Sequence, residues 1–531
     1  MSLRDLMYVQ FNPKLSYKIH YLKTTVLMNQ KFNFHSIFPI GIGLILLHNV
    51  ILIVTGVVLT EDSVQYLYTA ETFPYPRHLI DNQYYTFQPF VYPVFLKLLL
   101  LVGEENFGFL VKISNALLYL ISIIYSFKII NLISRNDRIS YLIKFLIVTN
   151  FEWLRTFAFL WSETLFNPLL IFCIYLLFRY KERGDLITLY SYFLVSALLP
   201  TIRYLGVLIF PFNFIVLLFV LIQKRVMYKP AFFFLLSFLP LTCILFVNYL
   251  NAGNFTGSER GVGRYSFFYN FFLSSYYLLT TFPLFVKQFL ILLKQHTVLI
   301  LSLSGILIIV AVIRIKRMKF RFSIEKHAFH IYMLSILILF YIGLLAFSAT
   351  ATAFDSINVR FVAPIIIPVF LLVYYLIIPY KINRLVIGCV YLMSVGLFCY
   401  EIIHFYTVRN TYNPISSGLL YKAYNSHEDI FKSVKQDVIK KQTRIFTNDP
   451  YRMMLYNDIS SSFLPEKKYR NSPTMKYSPF QVDSMINKQD SYIIIYEPEE
   501  YYDKRFYPME IYLKGKTPIL TDDSLLVFKN F

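Results

Sequence analysis

Apolar runs long enough to cross a lipid bilayer recur along the first 404 residues of this chain. The first run, residues 37–59, reads IFPIGIGLILLHNVILIVTGVVL and holds no charged residue in its 23 positions. At about 1.5 Å per helical residue, this length spans a hydrocarbon core of roughly 30 Å. Composition agrees, because 56% of residues are hydrophobic and only 15% are charged. The sequence therefore predicts an integral membrane protein.

Ten further apolar runs bring the predicted number of membrane-spanning helices to about eleven. They occupy residues 108–130, 140–150, 163–178, 187–202, 204–222, 230–250, 297–313, 328–348, 361–379 and 385–404. The run at 140–150 is short, so we expect it to be tilted, re-entrant or extended beyond its apolar part.

The placement of Lys and Arg predicts the orientation of these spans. With a cytoplasmic N-terminus, the inner connections carry 21 lysines and arginines, whereas the outer connections carry six arginines and three lysines. Positive residues concentrate in the cytoplasmic loops of membrane proteins. We therefore interpret the net charge of +20 as a topology signal in a multi-pass protein of the cytoplasmic (inner) membrane, in contact with membrane lipid, and not as a sign of nucleic acid binding.

The chain divides by composition into residues 1–404 and residues 405–531. The second part has mixed charge, with 18 Lys and Arg against 15 Asp and Glu, and holds no further span. Segments typical of strands and of one amphipathic helix are RIFTND, SYIIIYEP, SLLVFKNF and HEDIFKSVKQDVIKKQ. We expect a transmembrane catalytic domain followed by a small α/β domain, which an odd number of spans places outside.

The first outer connection, residues 60–107, carries two candidate interfacial helices. One begins at TEDSVQYLY, and the other follows Pro89 and Pro93 in an apolar stretch too short to span a bilayer. Aromatic residues are favoured in the membrane interface. These helices are therefore predicted to lie in the interface and to form one wall of a site at the outer surface.

Two acids follow the first span directly. Asp62 and Tyr66 are four residues apart and so share one face of the predicted helix, while Glu61 points about 100° away from Asp62. Acids at a helix start can serve only as favourable charges near its N-terminus. The alternative is that Asp62 is a general base, since a carboxylate at the membrane surface can take a proton from an attacking hydroxyl.

A second acid and three outer arginines complete the candidate site. Glu163 opens a span after Ser162, either as a capped helix start or as an acid that faces the first loop. Arg203, Arg264 and Arg360 each lie at or near an outer helix end. Because guanidinium groups bind phosphate oxygens in pairs, three of them on one face favour a phosphate ligand over single lipid contacts.

Other polar residues carry weaker signals. His78 and Asp81 lie in the first outer loop and are candidate substrate contacts. His48 lies within the first span, where a hydrogen bond between helices is the usual role. The four cysteines form no CxxC pair, so no metal site is predicted; a loosely held divalent ion at Asp62 and Glu163 stays open.

Five motifs occur in an order that resembles the GT-C superfamily of integral-membrane glycosyltransferases, nearest the protein O-mannosyltransferases and the lipid A aminoarabinose transferase. They are TEDSVQYLY, FQPFVYPVFLKLL, WSETLF, TIRYLG and NVRFVAP. The resemblance implies a GT-C-like membrane domain, a polyprenyl-phosphate sugar donor and a lipid-linked or envelope-glycan acceptor. It also implies Asp62 as the base, Glu163 as a supporting acid, and Arg203 and Arg360 near the donor phosphate.

Two features depart from that family. Its protein mannosyltransferases often carry Asp before Glu in the first loop, whereas Glu61 precedes Asp62 here, and their large β-rich insertion is absent from this sequence. The alternatives are a polysaccharide polymerase or ligase with a lipid-diphosphate donor, a flippase or transporter of lipid-linked sugars, and a non-enzymatic scaffold. Transport favours charges at the bilayer midplane and related halves, neither of which is seen in the sequence.

Overall fold

The computed structural model describes residues 37–281, 321–412 and 428–530, apart from short gaps. The gaps are 56, 78–83, 104, 133–137, 225–227, 257–262, 264, 353–356, 379–383, 442, 449–452, 454–460, 466–476, 488–490, 497–505, 514–515 and 522–524. The predicted span at 297–313 lies outside the described residues.

Helices account for most of residues 37–412. They are α1 (Ile37–Thr55), α2 (Glu61–Thr72), α3 (Val91–Val102), α4 (Phe107–Asn131), α5 (Arg138–Val148), α6 (Phe151–Phe157), α7 (Glu163–Arg183), α8 (Leu186–Ser196), α9 (Leu199–Ile202), α10 (Ile209–Lys224), α11 (Tyr228–Leu236), α12 (Leu239–Ala252), α13 (Phe267–Thr280), α14 (Arg321–Ala351), α15 (Val359–Val362), α16 (Ile366–Ile377) and α17 (Arg384–Tyr412). Short 3₁₀ turns at Tyr204–Leu208 and Ala363–Ile365 continue into α10 and α16.

Seven helical segments of the described chain are long and apolar enough to cross a membrane. They are Phe107–Asn131, Glu163–Arg183, Tyr204–Ile222, Tyr228–Ala252, His327–Ala351, Val359–Ile377 and Val386–Phe405. Each coincides with a span predicted from the sequence. This confirms a polytopic α-helical membrane protein.

The other predicted spans that fall in the described residues contain shorter apolar helical stretches. Apolar stretches of intermediate length occur at Gly43–Ile53 and Leu186–Ile202. The short run at 140–150 is only the 11-residue helix α5, and it ends before Asn150 starts α6. Likewise α3 has 12 residues, which at 1.5 Å per residue is about 18 Å and too short to span.

Buried polar contacts join the helices around α4. His48 Nδ1 lies 2.8 Å from the Tyr119 hydroxyl, so the predicted hydrogen bond between helices is present. Asn115 on α4 donates its side-chain amide to the carbonyl of Phe157 at 2.9 Å, at the end of α6. Such bonds fix the rotation of apolar helices, which otherwise pack with little directional preference.

The C-terminal part forms one five-stranded mixed sheet with helices on both faces. Its elements are α18 (Glu428–Lys441), β1 (Arg444–Thr447), β2 (Ser462–Phe463), α19 (Pro479–Asn487), β3 (Ser491–Tyr496), α20 (Met509–Leu513), β4 (Thr517–Thr521) and β5 (Leu525–Asn530). The strand order is β2-β1-β3-β5-β4, with β1 parallel to β2 and β3, and β5 antiparallel to β3 and β4. The three predicted strands and the predicted helix are confirmed, whereas β2 and β4 were not predicted.

Strand β3 is central because it contributes side chains to both faces of the sheet. Tyr492 and Ile494 pack with α18 residues such as Phe431, while Ile493 and Ile495 join the core on the opposite face. The period of two between faces explains why all six residues of β3 are buried. This is a small α/β unit with a core of its own.

Candidate active site

A short parallel β bridge joins the two backbone segments that carry the candidate acids. The amide of Val58 donates to the carbonyl of Ala158 at 2.8 Å, and the amide of Leu160 donates to the carbonyl of Val58 at 3.1 Å. Val58 precedes α2, and Leu160 precedes α7. The bridge therefore holds the starts of α2 and α7 side by side.

Side-chain hydrogen bonds lock the two helix starts together. The indole Nε1 of Trp161 donates to the hydroxyl of Thr60 at 2.9 Å, and the hydroxyl of Ser63 donates to the carbonyl of Leu160 at 2.9 Å. Ser63 also accepts from the amide of Thr60 at 2.9 Å, which closes the first turn of α2. These bonds orient α2, and with it the side chain of Asp62, toward the start of α7.

Glu163, the first residue of α7, is fully buried and pairs with two arginines. Its Oε1 accepts a hydrogen bond from Nε of Arg360 at 2.6 Å and lies 2.6 Å from Nη1 of Arg203. A buried carboxylate without a cation is strongly destabilising. Glu163 therefore depends on both guanidinium groups, and it holds them next to each other.

Asp62 lies on the other side of Arg360. Its Oδ2 accepts a hydrogen bond from Nη1 of Arg360 at 2.6 Å, and the Asp62 side chain is 33% exposed, against 13% for Arg360 and 0% for Glu163. The four charges form a chain in the order Asp62, Arg360, Glu163, Arg203. Asp62 is its most solvent-accessible member.

Arg360 is fixed by contacts other than its two acids. Its guanidinium carbon lies 4.1 Å from the centre of the Trp161 ring, and that ring is stacked on Phe159 at 3.9 Å and 12°. The backbone amide of Arg360 donates to the side-chain oxygen of Asn358 at 2.9 Å, which caps α15. A cation over an indole face is attracted by the ring quadrupole, so Trp161 restricts where this guanidinium can move.

Tyr66 extends the hydrogen-bond network into the interior. Its hydroxyl donates to Oγ of Ser162 at 2.9 Å, and Oγ of Ser162 donates to Oε2 of Glu163 at 3.4 Å. Burial, with the negative charges of Asp62 and Glu163 as smaller causes, raises the pKa of Tyr66 far above its usual value. The phenol stays protonated at physiological pH and keeps donating toward Glu163.

The orientation of Arg203 depends on a tight turn. The amide of Gly206 donates to the carbonyl of Arg203 at 2.8 Å. A Cβ on Gly206 would lie 2.5 Å from the carbonyl carbon of Leu199, so only glycine permits this approach. Although Nη1 of Arg203 is close to Glu163, it has no aligned hydrogen-bond acceptor. The contact between Arg203 and Glu163 is therefore an ion pair with imperfect hydrogen-bond geometry.

Four of the predicted site residues are not placed beside this cluster. His78, Asp81 and Arg264 lie outside the described residues, and only the backbone of Glu61 is described, as the first residue of α2. Asp62, Tyr66, Glu163, Arg203 and Arg360 are the predicted residues that come together. Of the two alternatives for the start of α7, capping by the Ser162 side chain is not observed, since Ser162 occupies the N-cap position without a capping bond.

The acids do not form a metal site by themselves. No group of three or more His, Cys, Asp or Glu residues that could hold a metal ion is found in the described part of the chain. Arg360 stands between Asp62 and Glu163 and contacts both. A divalent ion would have to displace that guanidinium, so a cation already fills the position where the two carboxylates meet.

The chemical capacity of the cluster follows from its charge balance. Two carboxylates and two guanidiniums sum to zero, with one carboxylate reachable from solvent and both guanidiniums largely buried. Such a site can accept a proton at Asp62 and stabilise an anion at the arginines.

Sequence reasoning did not single out Trp161, Thr60 or Ser63. Trp161 is one of only two tryptophans in the chain and directly precedes Ser162 and Glu163. A tryptophan, rare in this chain, directly before a candidate acid was the one sequence feature that could have indicated a role for Trp161 in the site. Hydrogen bonds between Thr60 or Ser63 and the α7 segment depend on tertiary contacts, and no local pattern indicates them.

Comparison with known proteins yields structural matches only. No protein-family model matches the sequence, and no curated protein matches it either. Two crystal structures of ArnT from Cupriavidus metallidurans are similar in fold. The apo structure matches with a TM-score of 0.58 and 10% identity, and the structure bound to undecaprenyl phosphate matches with a TM-score of 0.54 and 11% identity.

The extent of this similarity is what makes it informative. Each match covers 93% of this chain and 98% of the ArnT chain. The alignment therefore includes the membrane helices and most of the C-terminal part. At this level of identity the similarity establishes the fold and leaves the activity open. The chain has a fold like that of ArnT.

Proposed function

We propose that this protein is a membrane glycosyltransferase that moves a sugar from a polyprenyl-phosphate donor to a lipid-linked or cell-envelope glycan acceptor. One observation carries the proposal: the accessible carboxylate of Asp62 is joined through Arg360 to buried Glu163 and Arg203, all within 2.6 Å contacts. The fold supports it, because the similar protein ArnT has been crystallised with undecaprenyl phosphate.

The proposed reaction is a single displacement with Asp62 as the base. The acceptor hydroxyl oxygen forms a bond to the anomeric carbon while its proton passes to Asp62. The bond between that carbon and the phosphate oxygen breaks, and the electron pair leaves with the polyprenyl phosphate. A phosphate is a weak base, so its departure needs positive charge and no general acid. The configuration at the anomeric carbon is inverted.

The arginines are proposed to bind the donor phosphate. Guanidinium groups match phosphate oxygens bidentately, and Arg203 and Arg360 lie side by side on the same carboxylate oxygen. Glu163 keeps Arg203 and Arg360 adjacent by pairing with both. Its role is to position the two cations, and it is too deeply buried to meet an acceptor.

The remaining residues of the site are assigned by sequence position. We propose that Glu61, His78, Asp81 and Arg264 contact substrate from the first outer loop and from the loop before α13. Tyr66 acts through Ser162 on Glu163, in line with its buried hydroxyl.

The distribution of positive residues supports an outer-face reaction in the cytoplasmic membrane. We propose a cytoplasmic N-terminus, a transmembrane catalytic domain over residues 1–404 and an external domain over residues 405–531.

The donor class is the part of the proposal that a single assay decides. Purified protein in nanodiscs is given a panel of undecaprenyl-phosphate-linked sugars with native membranes as acceptor, and released undecaprenyl phosphate is measured. Competition by unlabelled diphosphate-linked oligosaccharide is the second arm. We expect undecaprenyl phosphate to be released from the undecaprenyl-phosphate-linked sugars. The diphosphate-linked oligosaccharide should not suppress this release. Use of the diphosphate donor alone would indicate a polymerase or ligase, and sugar movement across vesicles without transfer would indicate a flippase.

A further inference from the structure

In the proposed reaction, Asp62 and the donor phosphate both bind the guanidinium of Arg360, so the two anions compete for it. We propose that the donor phosphate displaces Asp62 from Arg360, so that the base becomes available only after the donor has bound. The inference rests on the proposed function, and it concerns how the same site is regulated.

The two partners of Arg360 differ in how easily they can be replaced. Glu163 is fully buried, binds Nε and also pairs with Arg203. Asp62 binds Nη1, is one-third exposed and sits in the first turn of α2. Breaking a partly exposed ion pair costs much less than breaking a buried one. The Asp62 contact is therefore the one that an incoming anion replaces.

Arg360 does not need to move for this exchange. Its Nε stays on Glu163, and its face stays on Trp161 at 4.1 Å. Only Nη1, which donates to Asp62 in this structure, changes its acceptor to a phosphate oxygen. Trp161 and Glu163 hold the rest of the guanidinium in place during this change.

The exchange changes which anion neutralises Arg360. While Asp62 holds Nη1 of Arg360, its Oδ2 is occupied by the hydrogen bond from that guanidinium. When a phosphate anion takes that place, Arg360 is neutralised by the phosphate, and the displaced carboxylate faces another anion. Donor binding thus releases the Asp62 carboxylate from its ion pair with Arg360.

The inference predicts an unusual effect of removing the base. Asp62 competes with the donor, so D62N and D62A should each bind undecaprenyl phosphate about threefold to tenfold more tightly than wild type, the range expected for one partly exposed charge-assisted contact. Two variants are needed because an Asn amide could itself donate to phosphate, whereas Ala cannot.

Binding is measured with undecaprenyl phosphate in nanodiscs by microscale thermophoresis. Glu71, exposed at the far end of the same helix α2, supplies the control: E71Q removes one negative charge without touching Arg360 and should leave the affinity unchanged. If E71Q increased the affinity for undecaprenyl phosphate as much as D62N does, the increase would be an effect of net charge, and the inference would be overturned.

The outcomes separate this inference from the proposed function. If wild type bound undecaprenyl phosphate and D62N and D62A bound it with equal or lower affinity, the exchange would be wrong. The transferase proposal would remain. Absence of any undecaprenyl phosphate binding by the wild type would reject the donor class, and the exchange with it.

Discussion

Arg360 makes three contacts that a lysine could not make together. Its Nε and Nη1 bind different carboxylates, both at 2.6 Å, and its planar face lies over Trp161. A lysine ammonium is a point charge without a flat face or a second separated donor. The shape of the guanidinium, in addition to its charge, is therefore what joins Asp62 to Glu163.

The substitution R360K tests this use of shape. It keeps the positive charge but loses one of the two carboxylate contacts, each charge-assisted bond being worth about 1.5–3 kcal/mol. We expect at least a tenfold loss of transfer and a lower unfolding temperature in detergent. The control is R155K, since Arg155 pairs with Glu152 one turn away, at 3.3 Å. If R360K and R155K behaved alike, the bridging role would be wrong.

Glu163 is the residue whose loss should cost most stability. The substitution E163Q leaves Arg203 and Arg360 buried beside each other without an anion, and breaking a buried pair in this way costs about 3–5 kcal/mol. The unfolding temperature should fall well below that of E182Q, which changes a half-exposed acid at the opposite end of the same helix. Equal unfolding temperatures for the two variants would contradict the buried network.

Single residues also show how far the sequence alone could lead. Asp62, Glu163, Arg203 and Arg360 could be chosen because charges beside apolar spans are rare and expensive. Their pairing could not be predicted, since Asp62 and Arg360 are 298 positions apart. Nor does any local pattern indicate that Trp161 lies under the guanidinium, because that contact arises only when α15 packs near the start of α7.

At the scale of elements, the site is assembled where helices begin. Asp62 lies in the first turn of α2, Glu163 starts α7, and Arg360 lies in the short helix α15. Helix starts carry unpaired amides and a partial positive charge that favours nearby carboxylates. Both acids therefore sit where the backbone also supports them.

The turn after α9 is the element most sensitive to a small change. G206A places a methyl group 2.5 Å from the Leu199 carbonyl carbon, which forces the turn open and shifts Arg203. We expect a loss of about 1–3 kcal/mol in stability, as in other overpacked sites, together with weaker undecaprenyl phosphate binding.

The matched control is G343A within α14, where a new Cβ meets nothing within 4 Å. It should leave stability unchanged or slightly higher, since alanine favours helix more than glycine does. Thermal unfolding of the two variants in the same detergent decides the matter. A neutral G206A would show that the turn does not depend on glycine.

The elements were predicted unevenly, for identifiable reasons. Long apolar runs such as Phe107–Asn131 are recognised by length and composition. The run at 140–150 was predicted as a membrane span, but the helix ends because the chain turns at Asn150. The side chain of Asn150 caps α6 by accepting a hydrogen bond from the amide of Trp153 at 2.9 Å. Strand β2, with two residues, and strand β4, which contains Pro518 and an irregular register, lack the alternation that marks strands.

At the scale of the whole molecule, the account requires that the site faces outward. Arg77 is tied to α2, since Gln65 donates to its carbonyl at 3.0 Å, whereas Arg183 lies at the far end of α7 from Glu163. Twenty helical steps separate Glu163 from Arg183, about 30 Å at 1.5 Å each. These two exposed positions therefore report opposite faces of the membrane.

Cysteine labelling tests the orientation. In a background without the four native cysteines, R77C should react with a membrane-impermeant maleimide in intact cells, and R183C only after permeabilisation. The reverse pattern would place the site in the cytoplasm and remove the external acceptor. Expression and membrane insertion of both variants are checked with a C-terminal tag.

The central claim is that the Asp62 carboxylate accepts the proton in sugar transfer from a polyprenyl phosphate. It is tested most directly by the transfer rate of purified D62N with undecaprenyl-phosphate sugar donors, beside wild type and with unfolding temperatures measured on the same samples. We predict that the transfer rate of D62N is about 10²–10⁴-fold lower than that of wild type, as for other general bases. The D62N protein should have an unfolding temperature close to that of wild type and should still bind undecaprenyl phosphate. A folded D62N that transfers sugar at the wild-type rate would contradict the account.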